Sequence, residues 1–186
     1  IALAIGMPLG MYAGLNPEAR LSRAIMAGSI VGISIPNFWQ GLVLIFVFAV
    51  TLQVLPAGGR GEAVTVMGIR SSLWRADGWA HVALPALNLA LFQCTVVIRL
   101  VRSNVREIAL LDYIRFARAK GLSRTRIVYV HILRNMLVVL ITVVGLQLGS
   151  LIAYSVVTET IFSWPGLGKL IIDSVYQLDR PVIVAY

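Results

Sequence analysis

Residues 111–134 read LDYIRFARAKGLSRTRIVYVHILR, and the runs on either side of them decide the fold. Before them, residues 82–98 carry no charge over 17 positions; after them, residues 136–158 carry none over 23. A helix rises about 1.5 Å per residue and the hydrocarbon layer is about 30 Å thick, so roughly 17–25 apolar residues make a crossing. Counted from Arg102, the connection between these two crossings holds eight Lys and Arg residues. Cations at that density stay out of lipid, which places the connection on a membrane surface.

The local order of the connection follows from its residue types. Asp112 is expected to cap a helix over residues 113–120, its carboxylate accepting from the free N–H groups of the first turn. Gly121 supplies the left-handed position that ends such a helix, and Ser123 caps a second one running through Ile127 into the next crossing. At about 100° per residue, Tyr113, Phe116, Ala117 and Lys120 share one face of the first helix and Arg115 and Arg118 the opposite one.

Composition agrees with a membrane protein. Hydrophobic residues make up 59% of the 186, charged residues 13%, and the mean hydropathy is +0.87, outside the range of soluble globular domains. The formal charge of +8 therefore matters less by its size than by its distribution. Cys94 is the only cysteine, which excludes an intrachain disulfide and a cysteine-based metal site. The expected fold is an all-α polytopic bundle with four to five crossings, partial at both ends. Residues 1–15 read as the second half of a longer crossing and residues 181–186 as the start of another.

Taken in order, Gly6, Gly10 and Gly14 recur every four residues, a spacing that lets a second helix approach closely. Residues 24–59 are uncharged over a length too great for one straight crossing and too short for two. Pro36 resolves this by breaking the helix near Ile35, so that residues 24–53 form one interrupted crossing. Ser34, Asn37 and Gln40 are then polar groups at membrane depth, which face protein or a water-lined path rather than lipid. Trp39 reads as packing. Residues 56–79 form a polar segment in which Arg60, Arg70 and Arg75 are offset by Glu62 and Asp77, Trp74 and Trp79 suit the interface, and His81 is expected at the surface. Pro85 falls in the first turn of the crossing over residues 82–98.

The spacing Arg115-Phe116-Ala117, three residues, Gly121, nine residues, His131, one residue, Leu133-Arg134 resembles the cytoplasmic loop of ABC-importer permeases. The general pattern there is Glu-Ala-Ala, three residues, Gly, nine residues, Ile, any residue, Leu-Pro. Ala117, Gly121 and Leu133 are kept, whereas Arg115, Phe116, His131 and Arg134 depart. The wording ARAKGLS followed by LRN is similar to the dipeptide, oligopeptide and nickel branch, and residues 159–168, ETIFSWPGLG, match that family's extracytoplasmic segment.

The resemblance implies one permease domain over residues 1–186, with residues 102–134 as a cytoplasmic coupling loop in a multi-pass protein of the bacterial cytoplasmic membrane. It implies a docking element for an ATPase made of Asp112, Tyr113, Arg115, Phe116, Ala117, Arg118, Ala119, Lys120, Gly121 and Leu122. It also implies a translocation path or gate drawn from Ser34, Asn37, Gln40, Gln147, Glu159, Trp164, Pro165 and Gly166. The implied partners are a second permease subunit, two ATPase subunits that carry ATP and Mg, an extracytoplasmic solute-binding protein and the lipid bilayer, with no nucleic acid. The solute would be a dipeptide, oligopeptide, glutathione or nickel chelate.

Charge counting supports that orientation. On the side of residues 102–134 lie Arg20, Arg23 and nine basic residues from Arg99 to Arg134, 11 in all; on the other lie Arg60, Arg70, Arg75, Lys169 and Arg180, which is 5. The chain carries no nucleotide loop of its own, because Gly166-Leu-Gly168-Lys169 would need Gly at 163 and Ser or Thr at 170, where Ser163 and Leu170 stand. No catalytic residue, metal site or bound cofactor is expected. Two other classes fit parts of the sequence: an ion-coupled secondary transporter, which lacks a carboxylate relay here, and a membrane-tethered DNA-binding regulator built on Ala119, Gly121, Leu122 and Ser123.

Overall fold

A computed structural model describes residues 1–66 and 68–186, without the side chains of Val66, Ile69 and Arg70, the last of which is one of the charges counted above. The chain forms two compact units, Ile1–Ser34 with Leu91–Leu148, and Ile35–Ala90 with Gly149–Tyr186. Helix accounts for most of both.

In the first unit, α1 (Ala2–Leu15) lies against α4 (Ala76–Leu110) along the glycine stripe. A Cβ at Gly6 would come 2.9 Å from Val97, one at Gly10 2.8 Å from Val101, and one at Gly14 2.7 Å from Val105. Three glycines opposite three valines, each set spaced by four, let the helix backbones close to a distance that any side chain would forbid. Helix α2 (Arg20–Ser34) completes this side, its start fixed where Ser22 Oγ donates to the Asn16 carbonyl at 2.5 Å. The buried core runs from Val97, Val101, Val105 and Ile108 of α4 to Ile114, Ala117, Ile127, Ile132 and Met136.

The second unit holds α3 (Asn37–Leu44), which Pro36 separates from α2 and which continues into a wider π-type stretch over Ile45–Thr51. Phe162, Leu84 and Leu44 form its apolar centre. Two short strands, β1 (Val64–Val66) and β2 (Ile69–Ser71), pair antiparallel with Val64 opposite Ser71, an exception to the all-α expectation that stays within the polar segment. A single 3₁₀ turn, Ser72–Trp74, leads from β2 to α4. Helices α8 (Leu167–Gln177) and α9 (Arg180–Ala185) close the chain.

Several expectations shift. Helix α4 starts at Ala76 rather than near Val82, so Pro85 sits inside it and not in the first turn. The carbonyl that Pro85 cannot serve is tolerated, as in other membrane helices, where neighbouring groups take up the freed bond. At 35 residues α4 is about 50 Å long, so it passes beyond the hydrocarbon before it ends. His81 is not a surface residue: its side chain is 17% exposed, Nδ1 donates to the Gly58 carbonyl at 2.9 Å, and Nε2 lies 3.6 Å from Asp77 Oδ1.

By length and composition two helices can cross a membrane, Ala76–Leu110 and Arg124–Ile161, and a third crossing results if the pair broken at Pro36 is taken as one. Helix α1, 14 residues long, is apolar but shorter than a span, and α9 has six residues. Of the expected four to five crossings, these two remain short segments. Within the most apolar window of Arg124–Ile161 only 11% of residues are buried by the chain itself, which leaves most of that surface for lipid or another subunit.

Candidate functional site

The basic connection is helical almost throughout. Helix α5 (Asp112–Ala119) turns off the end of α4 at Leu111, and α6 (Arg124–Arg126) leads through a π-type stretch, Ile127–Ile132, into α7 (Leu133–Ile161). The cap differs by one residue from expectation. Leu111 takes the extended conformation before the helix, so Asp112 is its first residue and caps nothing; its carboxylate instead lies 3.5 Å from Arg115, with both side chains well exposed. An acidic group there still favours the positive end of the helix.

The far end closes as expected. Gly121 has φ of +78°, its N–H donates to the Arg118 carbonyl at 2.9 Å, and the Leu122 N–H donates to the Ala117 carbonyl at 3.2 Å. That pair of bonds is a Schellman turn, with Leu122 folding back on the apolar side. Ser123 Oγ accepts from the Arg126 N–H at 3.3 Å, the expected cap of the next helix.

The faces of α5 need one correction. Ala117 does not share the outward face with Tyr113 and Phe116; it is buried together with Ile114, three residues before it, and this pair fastens α5 to the core. Tyr113 is a side clamp, since its hydroxyl accepts from Asn135 Nδ2 at 2.6 Å and its ring lies 6.4 Å from that of His131. Phe116 points away from the core at 62% exposure with Lys120 Nζ 4.6 Å above its ring. Arg115, Arg118, Ala119, Lys120 and Gly121 are exposed as well, and Leu122 is half-buried. A short helix thus stands on two small apolar feet and presents an aromatic ring among cations.

A second cluster occupies the second unit at the depth of the crossings. Asn88 is fully buried on α4 and donates to Asn37 Oδ1 at 2.9 Å and Thr158 Oγ1 at 3.1 Å. Gln40 Nε2 donates to Asn88 Oδ1 at 3.1 Å and to its carbonyl at 2.9 Å, and Asn37 Nδ2 reaches Thr158 Oγ1 at 3.3 Å. Three elements, α3, α4 and α7, are tied by amides and a hydroxyl that hydrocarbon could not satisfy. Ser34 stands apart, bonded to the Ile30 carbonyl of its own helix at 2.9 Å. In the first unit, Gln147 Nε2 donates to the buried Gln93 Oε1 at 3.2 Å.

The segment after α7 is built around Glu159. Its Oε2 accepts from the Lys169 N–H at 2.9 Å, capping the start of α8 from the end of α7. Gly166 allows this, because a Cβ there would overlap the carboxylate. The chain turns through Ser163 at φ +48°, with Trp164 N–H on the Glu159 carbonyl at 2.8 Å and Gly166 N–H on the Trp164 carbonyl at 2.9 Å. Trp164 and Gly166 are half-buried and Pro165 is exposed. The fully buried Phe162 accepts the Gly59 N–H on its carbonyl at 2.9 Å, which pins residues 56–59 beneath this turn.

Of the residues picked from sequence, Asn37 and Gln40 come together, Glu159, Trp164 and Gly166 come together, and Ser34 and Gln147 join neither group. Ile114, Asn135, Asn88, Thr158 and Gln93 were missed. Asn88 carries the same signal as Asn37, a side-chain amide within an uncharged crossing. Among the described residues no group of three or more His, Cys, Asp or Glu side chains could hold a metal.

Long apolar helices, a basic helical elbow and a hydrogen-bonded polar knot within the apolar stretches define a helical integral membrane protein. Residues 6–186 match the family described as the binding-protein-dependent transport system inner membrane component, and the chain belongs to that family. It is similar to the dipeptide transport system permease protein DppB of Escherichia coli, 38% identical over 98% of this chain and 58% of that protein. Likewise it is similar to the oligopeptide transport system permease protein AppB of Bacillus subtilis, 43% identical over 100% of this chain and 57% of that protein. The glutathione transport system permease protein GsiC of Salmonella choleraesuis is 39% identical over 99% of this chain and 55% of that protein. The chain spans less than two thirds of the length of these relatives.

Proposed function

We propose that the chain is the membrane-spanning permease part of an ATP-driven importer for peptides, working in the bacterial cytoplasmic membrane. The observation that carries the reading is α5, anchored by Ile114 and Ala117 while Phe116, Arg115 and Lys120 remain exposed on its outward side. A helix held rigidly at its base and bare at its tip suits a partner that pushes on it. On this reading residues 102–134 lie in the cytoplasm, and α5 through Leu122 engages one of two ATPase subunits that hold ATP and Mg. A second permease subunit completes the path, and a solute-binding protein delivers the peptide from outside. The work of transport is then a bias between two arrangements of the bundle, supplied by contacts that differ between them.

Relatives named for dipeptide, oligopeptide and glutathione transport support the solute class, and the polar knot of Asn37, Gln40, Asn88 and Thr158 supports a path beside α3, α4 and α7. The test is reconstitution of the importer from full-length subunits in proteoliposomes. Peptide accumulation that requires ATP and all partners is expected. Accumulation driven by an ion gradient with the ATPase subunits left out would overturn the reading.

A further inference from the structure

His81 stands just before the uncharged run of residues 82–98, in the first turns of α4, with its ring between two oxygen acceptors. Nδ1 lies 2.9 Å from the Gly58 carbonyl and Nε2 3.6 Å from Asp77 Oδ1, and the side chain is largely buried. A neutral imidazole has one N–H and one lone pair. With the proton on Nδ1, donated to Gly58, the Nε2 lone pair faces a carboxylate oxygen that can only accept. With the proton on Nε2, the Nδ1 lone pair faces the carbonyl instead. The imidazolium has a donor for each, and at a largely buried site the mismatch of the neutral ring weighs more than it would in water.

The partners of His81 belong to a strap, residues 58–62, laid between the start of α4 and the end of α7. The Gly59 N–H donates to the Phe162 carbonyl at 2.9 Å, and the Glu62 N–H to Asp77 Oδ2 at 3.3 Å. A Cβ at Gly61 would come 2.6 Å from Asp77 Oδ2 and 2.8 Å from the His81 ring, and one at Gly58 would overlap the Phe162 carbonyl, so the strap lies flush on both sides. The other charges of these elements are engaged elsewhere or stand free of the ring. Glu62 takes Arg75 at 2.7 Å, Glu159 takes the Lys169 N–H, and the Lys169 ammonium sits on Asp173. Arg60 is exposed and forms no ion pair among the described residues.

We propose that His81 is a proton-dependent clasp: as the imidazolium it ties Gly58 to Asp77 and holds the strap against the end of α7, and as the neutral ring it lets the strap lift. Histidine changes charge at about pH 6.5, so the hold is present in acid and lost as pH rises through that range. Because the strap is fixed to Phe162, the state of the ring bears on the turn through Ser163 and Trp164 that follows. The clasp acts on the chain's own backbone and is independent of the solute carried.

The test is hydrogen exchange of the full-length permease in nanodiscs, read by mass spectrometry over residues 57–63, each rate divided by that of the same unstructured peptide at the same pH. Protection is expected to be about tenfold higher at pH 5 than at pH 8. His81→Gln cannot change charge and is expected to show equal protection at both. Asp77→Asn offers an amide N–H to the neutral ring while its oxygen still serves the Glu62 N–H, so it is expected to hold the strap at pH 8 as firmly as the wild type does at pH 5. Equal protection of the wild type at the two pH values, an unchanged pH dependence in His81→Gln, or a strap still loose at pH 8 in Asp77→Asn overturns the clasp. None of these outcomes touches the transport reading, which the proteoliposome assay tests separately.

Discussion

Gly121 is the residue on which the elbow depends. Its φ of +78° costs an L-residue roughly 1–2 kcal/mol, and a β-branched one more, yet a Cβ there would meet nothing within 4 Å. The penalty is therefore conformational and not steric. Gly121→Val is expected to lower peptide uptake per ATP hydrolysed while insertion stays normal, and Gly121→Asn, which tolerates the left-handed region, to stay near wild type. Proteoliposome assays of uptake and phosphate release together check this, and equal coupling in both variants would remove α5 from the transmission path. Asn88 has the opposite logic, since its cost lies in its partners. Asn88→Leu takes the donor from Asn37 Oδ1 and Thr158 Oγ1 and one of two acceptors from Gln40, and polar ties between membrane helices are worth about 1–2 kcal/mol at most, so a loss of that size is expected. Reversible unfolding in mixed detergent measures it. Gly121 and Ser123 were readable from sequence because a cap is decided by the few residues around it. Ala117 was grouped with Tyr113, Phe116 and Lys120 instead of with the buried Ile114, because a wheel orders a helix's faces without saying which one the core will take.

Helix packing shows the same division. The stripe of Gly6, Gly10 and Gly14 was visible as a pattern, but only the fold supplies Val97, Val101 and Val105 as the ridge that needs it. Gly10→Leu is expected to force α1 off α4 and to cost about 1–3 kcal/mol, whereas Gly28→Leu, with open space around it, should be neutral or slightly stabilising. Thermal melts of the two variants side by side distinguish a packing effect from a general intolerance of leucine. The break at Pro36 was legible because proline acts on its own turn. The π-type stretches over Ile45–Thr51 and Ile127–Ile132, the β1–β2 pair and the early start of α4 were not, since no residue there marks its own turn as proline does. Glu159 was picked as part of a gate, but its link to Lys169 crosses ten positions and a turn, and nothing in the local sequence announces it.

At the scale of the molecule, the orientation proposed above puts eleven basic residues in the cytoplasm and five outside, the sense of the positive-inside rule. In a Cys94→Ser background, Arg118→Cys is expected to react with a membrane-impermeant maleimide only from the cytoplasm and Trp74→Cys only from outside; the reverse pattern would invert every assignment made for α5. Pro36 carries a last consequence. It starts α3 with no side-chain cap, so the N–H groups of Asn37, Phe38 and Trp39 have no acceptor within the helix, near the middle of a 36-residue uncharged run. Oil cannot solvate them. Moisture must therefore seep into the membrane at that notch, and deuterium should reach these three amides sooner than those of the turns that follow.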